Sequence, residues 1–346
     1  MSDTASDPQQ QPADKDKQQD RADSAPFSVV GIGASAGGLD AFEKFFTNVP
    51  PDTGMAFVLV QHLDPDHESM LADLMRRYTR MDVLQVTDGM DVQPNYIYII
   101  PPNTDLALLH GRFHLMEPDA PRGFRLPIDY FFRSMAEDMG NRSICVVLSG
   151  TGSDGTLGLK AVKESGGLAI VQDPPSAKYD GMPQSAIDTQ MADFVLPPEQ
   201  MPEQIIAYVQ HANRLEQETR APSTRQDDDA LQKIFIILRT HTGHDFSQYK
   251  QNTIMRRIER RMAVNQINNL RDYLRFLRNN PVEIGTLFKD LLIGVTSFFR
   301  DKEAFEALER DIVPQIFTNR SPESPIRVWV CGCSTGEEAY SIAILL

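Results

Sequence analysis

The stretch Phe27-Ser-Val-Val-Gly-Ile-Gly-Ala-Ser-Ala-Gly-Gly38 decides how this chain is read. An apolar run ends in a small, glycine-rich turn, and the helix-like segment Leu39-Asp-Ala-Phe-Glu-Lys-Phe-Phe46 follows. Two mechanisms fit the same residues. Gly33-Ala-Ser35-Ala-Gly37 reads as G-x-S-x-G, a turn that holds a serine hydroxyl out at the end of a strand. Gly31-Ile-Gly33-Ala-Ser-Ala36 reads as G-x-G-x-x-A, a turn that lets a pyrophosphate approach the backbone.

Working outward, residues 1–26 are rich in Gln, Asp, Ser, Pro and Lys and nearly devoid of apolar side chains, so a disordered tail is expected. Over 27–211, apolar runs at Phe27–Ile32, Ala56–Gln61, Tyr96–Ile100, Ile144–Leu148, Leu168–Val171 and Phe194–Val195 alternate with helical stretches. The helical candidates include Met70–Tyr78, Ile128–Met139 and Thr156–Glu164. Short buried strands alternating with helices predict an α/β fold with a doubly wound, mostly parallel sheet. Leu106–Met116 reads as a hairpin around His110-Gly-Arg112. Residues 212–229 are polar and contain Pro222, which reads as a linker whose first half continues a helix. Beyond it the pattern is helical, with candidates at Leu231–His241, Gln251–Val264, Leu270–Asn279 and Pro281–Leu292. A strand at Ile326–Val330 then enters a second glycine turn, Cys331-Gly-Cys-Ser-Thr-Gly336, and the chain stops at Leu346 inside the expected helix. That ending reads as a longer protein cut short.

The chain has 346 residues, 41% of them hydrophobic, as in a soluble globular protein. It has neither a signal-peptide-like stretch nor an apolar run of membrane-span length, so a cytoplasmic setting without membrane insertion is expected. The three cysteines suit a reducing compartment, and Cys331-x-Cys333 lacks a second ligand pair, so no metal is expected. A net charge of −14 argues against general nucleic-acid binding.

Two other strand ends bear on Ser35. The second strand candidate ends at His62, and the fourth leads into Leu148-Ser-Gly-Thr-Gly-Ser-Asp154-Gly-Thr156. Ligands and reacting groups collect beyond the carboxyl ends of such strands. A hydroxyl, an imidazole and a carboxylate delivered there form the set for nucleophilic acyl transfer: His62 takes the Ser35 proton and Asp154 orients the imidazole. The dinucleotide reading is weaker, since it wants an acidic residue where His62 stands. A P-loop is excluded because no Lys-Ser/Thr pair follows the glycines. The common α/β-hydrolase plan fits poorly too, because the order here is Ser, His, Asp from the first strand. Taken singly, each residue has a plainer reading: a serine in a glycine turn caps a helix, and Asp-Gly marks a turn.

At these residues a family becomes recognisable. Val30–Gly38, Val60-Gln-His62, Leu148–Gly155 and Gln172-Asp-Pro with Gly181–Ile187 together resemble the CheB-type protein-glutamate methylesterases. The resemblance covers about residues 27–210. It implies a catalytic triad of Ser35, His62 and Asp154, with backbone N–H groups near Ala36 and Thr151 as oxyanion donors. It implies hydrolysis of glutamate γ-methyl esters on methyl-accepting chemotaxis receptors, glutamine deamidation at the same site, and no cofactor for the esterase. Ala36 stands where the family often has Thr, and Pro102-Asn-Thr-Asp-Leu106 replaces its Pro-Gly-x-x-His stretch. Residues 1–26 are too few for the family's phospho-receiver domain, so control is expected from elsewhere.

Tyr249–Met262 is a basic amphipathic segment. Ile254, Ile258 and Met262 share one face, and Lys250, Arg256, Arg257, Arg260 and Arg261 are expected to face outward, toward an acidic protein partner. Leu291–Asp301 and Val328–Ala343 resemble a second family, the CheR-type methyltransferases, over residues 230–346. That resemblance implies a small all-α domain at 230–300 and, at 301–346, the first βα unit of a truncated Rossmann-like methyltransferase domain. It implies that Thr296, Arg300 and Glu338 (or Glu337) contact S-adenosylmethionine, while Gly294 stands where the family often has Asn. It also implies that the basic helix faces acidic receptor helices. Transfer of methyl groups by this chain is not expected. The rival expectation is a non-catalytic module that docks receptors or regulates a fused or associated histidine kinase.

Overall fold

The computed structural model describes residues 27–61, 70–118, 125–219, 225–292, 298–318, 326–334 and 336–346. Its contacts divide the chain into two compact units, Met1–Leu159 with Leu168–Glu203, and Lys160–Gly167 with Gln204–Leu346.

The first unit alternates strands and helices: β1 (Val29–Ala34), α1 (Gly38–Phe46), β2 (Ala56–Gln61), α2 (Met70–Tyr78), β3 (Asp82–Gln85), β4 (Tyr96–Ile99), β5 (Asp105–Leu109), β6 (Arg112–Met116), α3 (Pro127–Met139), β7 (Ser143–Val147), the start of α4 (Thr156–Glu164), β8 (Leu168–Gln172), α5 (Gly181–Asp188) and β9 (Phe194–Leu196). Seven strands form one sheet in the order β3-β4-β2-β1-β7-β8-β9. All its pairings are parallel, and β5–β6 is a separate antiparallel hairpin. The expected parallel sheet and hairpin are therefore present. β1, β7 and β8 are buried along their whole length, as strands covered on both faces must be.

The order reverses around β1. From β1 the chain moves to β2 on one side, and β7 on the other side leads away through β8 and β9. The crevice beyond the carboxyl ends of β1 and β7 is thus the switch point of the sheet, where open α/β folds bind ligands. Helix α3 packs on β1 with Ile128, Phe131, Phe132 and Met135, all fully buried. Burying each such side chain is worth roughly 1.5–3 kcal/mol.

The second unit continues through α6 (Met201–Thr219), α7 (Arg225–Thr242), α8 (Gln251–Val264), α9 (Leu270–Asn279), α10 (Pro281–Leu292), α11 (Lys302–Ala307), α12 (Val313–Phe317) and α13 (Glu337–Leu345). Helices α7 to α10 pack on one another around Leu238, Ile258, Tyr273, Leu277 and Leu287. Within 212–229, only 220–224 lie outside a described helix.

Two expectations fail here. Residues 326–330 form no strand, so the expected βα unit is absent although α13 is helical. A strand is held by hydrogen bonds to a neighbour, and among the described residues this segment has none. The outward basic face of α8 is also absent. Arg256 is exposed, but Arg257, Arg260 and Arg261 are only 3%, 6% and 5% exposed. Buried acceptors draw them in. Arg261 forms a two-pronged pair with Glu283 (Nε–Oε1 2.8 Å, Nη2–Oε2 2.6 Å), and the Tyr273 hydroxyl donates to the same carboxylate at 2.8 Å. Arg260 reaches Asp290 at 2.8 Å and the Gly167 carbonyl at 2.8 and 3.0 Å. Arg257 donates to the Lys163 and Glu164 carbonyls at 3.1 and 2.8 Å, at the carboxyl end of α4. Burial, followed by repulsion from Arg260 and Arg256, pushes the Arg257 guanidinium down to about 10.

Candidate active site at the switch point

The glycines of the opening motif separate into two kinds. Gly31 and Gly33 lie inside β1, not in the turn. A Cβ at Gly31 would stand 2.9 Å from Phe132 Cε1, and one at Gly33 would stand 2.3 Å from Ile128 Cγ2. They are glycine because α3 lies directly on the strand. The phosphate-cradling reading of Gly31-x-Gly33 therefore fails: these residues are filled against a helix and open onto no ligand. Gly37 is in the turn proper, with φ 77°, and serves as the N-cap of α1.

Ser35 follows β1 directly and is half-buried. Its N–H donates to the Ser149 carbonyl at 3.0 Å, and its carbonyl accepts the Gly38 N–H at 3.0 Å. The turn after β7 comes close. A Cβ on Gly150 would lie 2.9 Å from Ser35 Cβ and 2.1 Å from Met182 Sδ, so only glycine lets the two turns meet. The Gly150 carbonyl accepts the Met182 N–H at 2.9 Å. Among the described residues, the Ala36 and Thr151 N–H groups have no hydrogen-bond partner. Two N–H groups without an acceptor among the described residues, on adjoining turns beside a serine, are what an oxyanion site requires.

Asp154 is 2% exposed. Its Oδ2 accepts the Ile128 N–H at 3.1 Å, and its Oδ1 accepts the Asp129 and Gly155 N–H groups at 2.9 Å each. The carboxylate thus sits at the amino terminus of α3, where unpaired amides and the helix dipole favour negative charge. Asp129 returns the arrangement, with Oδ1 accepting the Gly158 N–H of α4 at 2.6 Å. Burial first, and then the Asp154 charge acting against the Gly158 hydrogen bond, holds the Asp129 carboxyl above its ordinary 3.8. The sequence offered no signal for Asp129, which reads as an ordinary first-turn acid.

His62 lies outside the described residues. It follows Gln61, whose Cα pairs with Ala34 across β1 and β2, one residue before Ser35. Among the described residues no group of three or more His, Cys, Asp or Glu gathers where it could hold a metal. No described helix is long and apolar enough to cross a membrane.

Of the residues expected to hold S-adenosylmethionine, Thr296 lies outside the described residues. Arg300 is exposed, beside a segment tied to α13: Phe299 N–H donates to Ser341 Oγ at 2.9 Å, and the Phe298 and Tyr340 rings are 6.5 Å apart. Glu337 and Glu338 open that helix. This donor set suits the methionyl carboxylate and ammonium. Among the described residues it has no enclosing wall for the rest of the cofactor: Val328 and Trp329, just before the glycine turn, are 50% and 89% exposed. The described residues therefore fit only the amino-acid end of the group, and no methyl-transfer step is derived from them.

The fold defines an open, parallel α/β protein in which Ser35 and the glycine turn after β7 meet at the switch point of the sheet. Residues 30–205 match the model of the CheB methylesterase family, 229–292 the all-alpha domain of CheR methyltransferase, and 294–346 the CheR SAM binding domain. The chain belongs to the CheB methylesterase family and joins that domain to CheR-type segments. An uncharacterized 104.1 kDa protein of the hypE 3′ region of Rhodobacter capsulatus is 41% identical over 295 residues, covering 80% of this chain and 31% of that protein. The protein-glutamate methylesterase/protein-glutamine glutaminase of the group 3 operon of Rhizobium meliloti is 36% identical over 197 residues, covering 56% of this chain and 55% of that protein. The chain therefore spans about a third and about half of these two relatives. The crystal structure of the Thermotoga maritima CheB methylesterase catalytic domain superposes with a TM-score of 0.50 at 33% identity, covering 53% of this chain and 98% of that one.

Proposed function

We propose that this chain hydrolyses glutamate γ-methyl esters on methyl-accepting chemotaxis-type receptors, with Ser35 as nucleophile. The observation that carries the reading is the meeting of the β1 and β7 turns at Ser35, with the Ala36 and Thr151 N–H groups unpaired among the described residues. Ser35 Oγ attacks the γ-carbonyl carbon while His62 takes its proton. The Ala36 and Thr151 N–H groups hold the oxygen as it becomes negative. The bond to the methoxy oxygen breaks, His62 returns the proton, and methanol leaves. Water then attacks the acyl-enzyme by the same route, freeing the glutamate carboxylate and restoring Ser35. Asp154 orients His62 and stabilises its charged form. With a glutamine substrate the leaving group is ammonia and the product is again glutamate.

The CheR-type segments fit the same setting, since that family makes the ester this site would remove. The receptor role of α8 is now confined to Arg256 and Lys250, its exposed cations. A fused or associated histidine kinase belongs to this reading only through the family setting. Methanol release from methylated receptor is the test. We expect Ser35→Ala to lower kcat by at least about 10³-fold with the fold intact, as loss of a serine nucleophile does. Absence of Ser35-dependent release would leave a non-catalytic docking module as the better account.

A further inference from the structure

Ser149 is 1% exposed, and none of the steps above uses its hydroxyl. Its Oγ lies 2.9 Å from the Ala36 carbonyl and 3.2 Å from the Tyr179 carbonyl, and it accepts the Tyr179 N–H at 3.0 Å. A hydroxyl has one hydrogen to give, and the shorter contact assigns it to Ala36. The main chain of Ser149 is equally committed. Its carbonyl takes the Ser35 N–H at 3.0 Å, and its N–H donates to Gln172 Oε1 at 2.8 Å. Its neighbour Gly150 donates to the Tyr179 carbonyl at 3.0 Å. One buried residue therefore ties together the turns after β1 and β7, strand β8 and the segment at Tyr179.

The direction of the two unpaired amides follows from peptide geometry. In a planar trans peptide the C=O and N–H point opposite ways. The Ser35 carbonyl is drawn to Gly38, so the Ala36 N–H points away from α1. The Gly150 carbonyl is drawn to Met182, so the Thr151 N–H points away from α5. Each amide is aimed by the carbonyl of its own peptide. What fixes the two relative to each other is the residue bonded to both turns. Ser149 holds the first turn from both sides, through Ser35 N–H and Ala36 C=O, and is covalently the start of the second.

We propose that Ser149 is a positioning residue that sets the Ala36 and Thr151 N–H groups in the register needed to hold the developing oxyanion; this rests on the serine-esterase reading above. Without the hydroxyl, the Ala36 carbonyl loses its donor, so the Ala36–Gly37 peptide is released and the Ser35–Ala36 peptide that carries the Ala36 N–H is held by Ser149 from one side only, through Ser35 N–H. The ground-state ester makes little use of these amides, whereas the transition state depends on them.

The experiment measures kcat and KM for methanol release by the full chain and by Ser149→Ala, with Ser149→Thr and Ser149→Val as a shape-matched pair differing in the hydroxyl. For Ser149→Ala we expect kcat to fall about 10- to 100-fold with KM within about 2-fold, a loss confined to the transition state. Ser149→Thr should stay well above Ser149→Val in kcat at similar Tm. A Ser149→Ala kcat within about 3-fold of wild type overturns the proposal. So does an equal fall in the Thr and Val variants, which would make Ser149 a packing residue. Wild type without methanol release, or release that survives Ser35→Ala, instead removes the esterase reading and takes this inference with it.

Discussion

Asp129 shows how a single carboxyl can be structural and titrating at once. It caps the amide array of α4 while Asp154 caps that of α3, so Asp154 holds the helix that carries Asp129, and Asp129 holds the helix that begins just after Asp154. Asp129 has its carboxyl raised above 3.8, chiefly by burial and then by the charge on Asp154. A carboxyl raised in the folded state binds its proton more tightly there than in the unfolded chain. Its favourable contribution is complete below the unfolded value and is lost as pH rises through the folded one. Asp129→Asn keeps an acceptor for Gly158 and removes the titration. We therefore expect its unfolding free energy, measured in urea, to gain on wild type as pH rises above about 4 and to run parallel once Asp129 is ionised. A difference that stays flat from acid to neutral pH would contradict the assignment. At the same scale, Gly31 and Gly33 show how a motif misleads: packing under Ile128 and Phe132 gives the glycine spacing of a phosphate turn.

At the scale of elements, what was legible follows from how local each signal is. Ala56–Gln61, Gln251–Val264, Leu270–Asn279 and Pro281–Leu292 match their expected bounds because burial imposes an unbroken apolar run or a clean helical stripe. β3 was not expected: Asp82-Val-Leu-Gln85 is an edge strand paired only to β4, with one of four residues buried. α5 was missed because Gly181 and Pro183 in its first turn are turn signals in isolation. Ser35 was singled out because it directly follows β1, and Asp154 because it lies in the glycine-rich turn after β7, while His62 lies outside the described residues. The Ser149 tie between the turns after β1 and β7 was not legible, since it is a hydrogen bond spanning 113 residues to the Ala36 carbonyl. The arginines of α8 were misread for a related reason. Their partners Glu283 and Asp290 lie on α10, and nothing local separates a solvated basic face from one that is buried and paired. The pairing carries a stability prediction. Glu283→Ala leaves Arg261 buried without its carboxylate and the Tyr273 hydroxyl without its acceptor. Stripping one partner from a buried pair costs about 3–5 kcal/mol, which chemical denaturation of the helical unit should register. A loss below about 1 kcal/mol, the value of an exposed pair, would mean that Arg261 is solvated after all.

At the scale of the whole molecule, the two units differ in what their architecture can support. The switch-point site of the first unit is built from adjoining strands whose register is fixed by pairing on both sides of β1. The second unit has a helical core and then the segment 298–346, where no strand forms among the described residues. A nucleoside cofactor on an α/β turn needs that turn held at a sheet edge, with side chains from neighbouring strands to enclose the base and ribose. Here the turn at Cys331–Gly336 follows a segment whose Trp329 is 89% exposed, and its nearby fixed points are the Ser341 and Tyr340 contacts to Phe299 and Phe298. On the proposal that Arg300 and Glu337–Glu338 contact the cofactor, the described residues offer it charge recognition and no enclosure. Surface ion pairs of that kind are worth about 0–1 kcal/mol each. Calorimetry of this chain with S-adenosylmethionine should therefore show binding no tighter than about 1 mM, equivalent to about 4 kcal/mol. Arg300→Ala should change it little. Micromolar binding that Arg300→Ala abolishes would show instead that ligand and chain assemble the missing sheet edge together, and that the second unit folds around its cofactor.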